Sequence, residues 1–229
     1  MIGITFALPT ESSDLISRLK PSQRQDELLI GKIDNRDVAI VHTGVGAKTC
    51  DERLELLIHK TRPRFVISAG FAGAVTNESQ PGDLILSENF SDPQLLAQAN
   101  KILHHPKPRT VKLFTVTSII DSVEQRREVA RKCGAAAVDM ETGAIANLCR
   151  AHAIRLLSLR AISDSPAEPF PAPPHVLFDV ERQQTNLFGL LTYLFRHPSV
   201  APKLVRFSKR IAHARGKMTD AIIALVREL

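Results

Sequence analysis

Short apolar runs alternate with amphipathic stretches along most of the chain. Residues 2–7 are unbroken apolar or small positions that predict a buried strand, which leaves through Leu8-Pro9-Thr10-Glu11 into a helix over 12–19. Glu11 thus falls at the carboxyl end of the first strand, where open α/β sheets meet their ligands. Residues 28–33 and 38–42, joined by the polar turn 34–37, predict a hairpin. The stretch His42-Thr43-Gly44-Val45-Gly46-Ala47-Lys48-Thr49 then turns into a helix reaching Lys60. A third strand over 65–68 runs into Ala69-Gly70-Phe71-Ala72-Gly73-Ala74. Such small residues after a strand make either a tight, closely packed turn or a place where a ligand lies against backbone N–H groups. Strands over 84–87, 112–117 and 156–162 follow, with helices over 95–103 and 123–132 and a third running through His152. Strands interleaved with helices make a layered α/β fold.

Beyond Ser165 the pattern changes. Pro166, Pro169, Pro171, Pro173 and Pro174 stiffen a loop, and helices are expected over 180–196 and 202–229, parted by His197-Pro198. Phe188, Leu191, Tyr193, Leu194 and Phe195 give the first a broad apolar side; the second mixes Leu204, Val205, Phe207 and Ile211 with basic residues. One domain is expected, with a core over 1–164, a proline-rich loop over 165–175 and a helical tail over 176–229.

The net charge of +6 is concentrated in that tail, where Arg196, Lys203, Arg206, Lys209, Arg210, Arg215 and Lys217 occur without an intervening acid. Solvation, an anionic membrane surface and nucleic acid each fit such a run. The lack of aromatic residues interleaved on a strand platform argues against nucleic acid. Cys50, Cys133 and Cys149 show neither pairing nor metal-ligand spacing, which suits a reducing, cytoplasmic setting. Residues 1–8 are too short an apolar run for a secretory signal, and no segment has the length to span a bilayer.

The chemistry concentrates at VDMETGAIA, residues 138–146, where an apolar run delivers Asp139 and Glu141, separated by Met140, to the start of a helix. Read alone, Glu141 is equally a helix-start charge or a functional carboxylate. Glu11 and Asp164 also stand at strand exits, and none of the three has a cationic neighbour in its local sequence. Buried carboxylates without such neighbours are costly unless chemistry or a ligand uses them, so their convergence predicts a site. A phosphate loop is excluded at 42–49, because Ala47 separates Gly46 from Lys48.

These residues together resemble the nucleoside phosphorylase and nucleosidase superfamily, on its methylthioadenosine/adenosylhomocysteine nucleosidase-like side. The matching segments are residues 3–11, HTGVG at 42–46, SAGFAGAV at 68–75, PGDLILSE at 81–88, VDMETGAIA and LRAISD at 159–164. The resemblance implies a three-layer α/β/α fold around a twisted mixed sheet, acting on a purine (adenine) nucleoside without cofactor or metal, as a homo-oligomer such as a dimer. It implies that Glu11 activates the nucleophile, that Asp164 protonates the leaving base, and that Met140 and Glu141 hold the ribose. Ile119, Ile120 and Ser163 would line the base, and Gly70, Phe71 and Gly73 the nucleophile pocket. Phosphorylase relatives carry arginines near the first strand exit and before the glycine-rich stretch; FALPTESSDL and FVISAGFAG have none, which favours water over phosphate.

The chain departs from that pattern in two places. Phe71 stands where methylthioadenosine nucleosidases have a hydroxyl residue, and the segment between Ser87 and Leu95 lacks an insertion that covers the substrate's sulfur-bearing arm. With the proline-rich loop and basic tail, these departures resemble the hopanoid-associated branch, which removes adenine from adenosylhopane. A lipid-bearing nucleoside and a small soluble one both remain open.

Overall fold

The computed structural model describes residues 1–20, 23–44, 47–104, 107–120, 122–173, 176, 178–179, 184–185, 193 and 196–229. Its frame is a mixed sheet whose two longest strands, β5 (Phe65–Ala74) and β10 (Arg155–Asp164), lie parallel and adjacent at the centre. Both are covered on both faces, which is why their sequences read as near-continuous apolar runs rather than alternating ones. On one side of β5 come β1 (Ile2–Phe6) and β4 (Arg36–His42), both in the parallel sense, and then antiparallel β3 (Leu28–Ile33) and β2 (Gln23–Gln25). On the far side of β10 lie antiparallel β6 (Leu84–Ser87) and then β7 (Arg109–Val111). The short strands β8 (Leu113–Thr115) and β9 (Ala137–Asp139) join at the carboxyl end of β5.

Helices cover both faces, giving three layers. α2 (Ala47–Thr61) and α5 (Thr142–Ala151) bury Leu54, Leu57, Ile145 and Cys149 on one face. On the other, α1 (Pro9–Ile16), α3 (Pro93–Ile102) and the long C-terminal helix α6 (Ala201–Glu228) share the main core through Leu15, Leu95, Met218, Ile222 and Leu225. α4 (Val123–Cys133) starts at a Ser122 cap and ends at Gly134 in the left-handed conformation.

The fold differs from the sequence reading in particular places. Residues 69–74 continue β5 instead of turning, because neighbours on both sides, β10 and then β9, supply ladder partners for the small residues. α1 begins at Pro9, three residues early, since proline fits the first turn where its missing N–H is not needed. The strand expected over 112–117 is shorter, β8 at Leu113–Thr115, and a separate strand not read from the sequence, β7 at Arg109–Val111, precedes it. Within the expected helix 180–196, Gln184–Thr185 instead pairs with Phe178–Asp179 as a two-stranded ladder. Phe188, Leu191, Leu194 and Phe195 lie outside the described residues, as do Val45, Gly46 and Asp121.

α6 has two characters. Its first half is largely exposed, with Val205 56% accessible, while Met218, Ile222, Leu225 and Val226 are fully buried. Leu225→Ala should therefore cost about 2–5 kcal/mol of unfolding free energy, which for a chain of this size lowers Tm by roughly 2–4 °C per kcal/mol. Val205→Ala should stay within about 0.5 kcal/mol of wild type. Thermal and urea denaturation check both, and equal losses at the two positions would contradict this division of the helix.

Candidate active site

Glu11, Glu141 and Asp164 reach one cavity of about 230 Å3 from three different elements. Glu11 sits in the first turn of α1, and its carboxylate folds back to accept the Leu8 N–H at 3.0 Å and the Phe71 N–H at 3.3 Å. It lies directly over β5: a Cβ on Gly70 would come within 3.4 Å of Glu11 Oε1. Burial pushes the Glu11 carboxyl above its ordinary pKa, opposed by the bond from Leu8, the charge of Arg160 and the bond from Phe71.

Asp164 owes its position to an irregularity in the sheet. β10 runs in register with β5 from Arg155–Phe65 to Ile162–Ala72, and then shifts so that Asp164 pairs with Gly73. The extra residue at Ser163 breaks the strict alternation and re-aims Asp164. Gly73 again makes room, since a Cβ there would meet Asp164 Oδ2 at 3.3 Å. Asp164 is also ion-paired with Arg126 of α4, whose other terminal nitrogen donates to the Ala74 carbonyl at 2.6 Å. Both members of the pair are 1% exposed. Ser163 Oγ lies 2.5 Å from Asp164 Oδ1 and 3.2 Å from the Ala72 carbonyl. The Ser163 hydroxyl thus donates to the Asp164 carboxylate. Burial raises the Asp164 pKa, with Arg126 and the Ser163 bond pulling it back.

At the start of α5, Asp139 and Glu141 divide the work. Asp139 accepts the Thr142 N–H at 3.2 Å, the Thr142 hydroxyl, the Thr115 hydroxyl at 2.9 Å and Arg160 Nε at 3.0 Å. With the first turn capped in this way, Glu141 stands at the N-cap without a side-chain capping bond and lines the cavity. Its pKa is pushed up to about 8 by burial first, then by the nearby charges of Asp139 and Glu11. Asp139 also borders the cavity, but its oxygens are taken up by these bonds.

Met140, Ile119, Ile120, Phe71, Gly73 and Ser163 line the same cavity, together with Leu8, Val116 and Phe170. Gly70 lies deeper, in a recess of about 10 Å3 with Glu11, Phe71, Glu141, Ser68 and Arg160. Gly73 stands beside Asp164 rather than in this recess. The carboxylates do have cationic neighbours: Arg126 comes from α4, remote from all three, and Arg160 stands on the same strand as Asp164, four residues before it. Arg160 was legible as a charge inside the apolar run LLSLRAIS, but its guanidinium is occupied by Asp139, Ser68 and Thr142. Arg126 gave no signal, since it sits among exposed charges of α4. Phe170 was missed because the proline-rich loop read as a spacer; it packs edge to face on Phe207 of α6, centroids 5.7 Å apart.

The chain belongs to the Phosphorylase superfamily, whose family model matches residues 1–92 and 87–196. It is 26% identical over 196 residues to the 5'-methylthioadenosine/S-adenosylhomocysteine nucleosidase of Staphylococcus epidermidis, covering 72% of this chain and 86% of that one. In structure it resembles the Campylobacter jejuni enzyme of the same name, with a TM-score of 0.77, 17% identity and 100% and 99% of the two chains covered. It also resembles the futalosine hydrolase of Helicobacter pylori, with a TM-score of 0.74, 15% identity and coverage of 100% and 97%. These likenesses confirm the three-layer fold read from the motifs.

The raised Glu141 pKa fixes the sign of a stability effect. Between pH 4.5 and about 8 the folded chain keeps a proton on Glu141 that the unfolded chain has released. Folding stability therefore falls across this window as pH rises. Glu141→Gln should gain Tm relative to wild type as the buffer moves from pH 4.5 to 8, and a difference in Tm that is constant with pH would refute the shift.

Proposed function

We propose that this protein hydrolyses the N-glycosidic bond of an adenine nucleoside, releasing free adenine with water as the nucleophile. The convergence of Glu11, Glu141 and Asp164 on one cavity carries the reading. Cleavage of a glycosidic bond passes through an oxocarbenium-like state. Carboxylates gathered out of water stabilise a sugar cation placed between them.

In this reading Glu141 and Met140 hold the ribose, and Glu11 draws a proton from the attacking water. Its two backbone N–H bonds fix the carboxylate for that task. The recess between Glu11, Gly70 and Arg160, about 10 Å3, matches the ~10–15 Å3 a single water needs. A phosphate ion is too large for it, and Arg160 has its donors engaged, which supports hydrolysis over phosphorolysis. Asp164 passes a proton to the departing base. Burial raises its affinity for a proton, and Arg126 faces the negative charge left once that proton is given up.

Adenine as the base is supported by the names of the relatives. Ile119, Ile120 and Ser163 line the base, and Leu8 and Phe170 offer the other end of the substrate an apolar lining that suits a hydrophobic arm. Lys203, Arg206 and Lys209 are exposed with Val205 on the first half of α6, which supports contact with an anionic membrane surface that presents such a substrate. Among the described residues no helix is long and apolar enough to cross a membrane. Exposed Phe114 and Ile119 beside the cavity support a homodimer.

Mass analysis of products from methylthioadenosine, adenosylhomocysteine and a lipid-linked adenosine, with and without phosphate, tests the reading. Adenine and free sugar at a phosphate-independent rate are expected; a sugar phosphate would replace hydrolysis by phosphorolysis, and no adenine from any of them would end it. Asp164→Asn should lower kcat by about 10²–10⁴-fold with little change in KM. Because that change strips Arg126 of its counter-charge, the same measurement on Asp164→Asn with Arg126→Met guards against a folding artefact.

A further inference from the structure

Away from the cavity, Glu55, His59 and His152 meet where α2 and α5 end side by side. Glu55 and His59 stand one helical turn apart on the same face of α2, and His152 is the C-terminal cap of α5. Glu55 Oε2 lies 2.8 Å from His59 Nε2, and Oε1 lies 3.2 Å from His152 Nε2. The imidazoles meet edge to face with centroids 5.6 Å apart. The three ligand atoms all fall within 4.8 Å of one another. Bonds of about 2.0–2.2 Å to a tetrahedral zinc ion place neighbouring ligand atoms roughly 3.3 Å apart, so the set needs little adjustment to close on one.

The electrostatics of the place favour a cation. Two helices direct their C-terminal ends at it, and the carbonyl ends of helices carry partial negative charge. Lys60, the nearest ammonium in sequence, is turned away to Asp26 at 3.6 Å. The side chains of Glu55, His59 and His152 are 39%, 69% and 27% exposed, so solvent reaches the remaining coordination position.

We propose that Glu55, His59 and His152 form a binding site for a divalent transition-metal ion, zinc above all, with water completing its coordination. Two imidazoles and a carboxylate are a zinc ligand set, and copper and nickel would compete for it by the usual order of affinities. The ion would tie the end of α2 to the end of α5. Glu141 stands at the opposite end of α5, about 15 Å away at 1.5 Å per residue, so the ion would brace that helix without entering the chemistry.

The test is calorimetric titration of zinc into the EDTA-treated full chain carrying Cys133→Ser, which removes the exposed thiol as a competitor. One saturating site of micromolar affinity or tighter is expected, with a Tm that rises with zinc and an anomalous zinc peak between the three side chains in soaked crystals. His59→Ala and His152→Ala should each weaken binding roughly tenfold or more, the scale seen even for partners outside the first coordination shell. His59 is mostly exposed, so its removal does not threaten the fold. Absence of saturable binding, or unchanged affinity in both variants, overturns the proposal, and neither outcome depends on whether the chain releases adenine.

Discussion

Three carboxylates withdrawn from water beside one strand are the constraint to which the rest of this structure answers. An isolated buried carboxylate is unstable as an anion, so each is given a different remedy. Glu11 receives backbone N–H bonds, Asp164 receives a buried arginine and a serine, and Glu141 remains under-compensated and keeps its proton. β5 bears glycine where two of these groups press on it, so its small residues serve the site as much as the sheet. The layers around it, α2 and α5 on one face and α1, α3 and α6 on the other, keep that strand dry.

Most of the frame could be read from the chain because local pattern and tertiary environment agree there. Residues 2–7 and 156–162 are apolar because both faces of the sheet are covered, and the polar turn at 34–37 makes the hairpin of β3 and β4 visible. The run at 69–74 could not be placed by local preference, since glycine and alanine are poor strand formers until flanking strands supply their ladder bonds. The site residues stand in readable motifs, and Arg160 shows as a charge inside an apolar run, whereas Arg126 gave no signal. Arg126 is separated from Asp164 by 38 positions, and its surroundings in α4 are those of any solvated helix.

The cavity and the C-terminal helix are linked physically. Phe170 lines the cavity and packs on Phe207, while Glu168 in the same loop is ion-paired with Arg210. The basic run of α6 is accordingly divided: Arg210, Arg215 and Lys217 contact the body of the protein, and Lys203, Arg206 and Lys209 face outward. A helix that is half core and half surface couples the proline-rich loop to the main fold.

The irregularity at Ser163 acts as a counting device. Between Arg160, bound beneath the recess, and Asp164, aimed at the cavity, the chain carries one residue more than an unbroken ladder would hold. A relative that lost a residue there would keep nearly every letter of its motifs while losing the break in alternation that aims its acid. Spacing within LRAISD is thus as informative as its composition when remote members of the family are judged for catalytic competence.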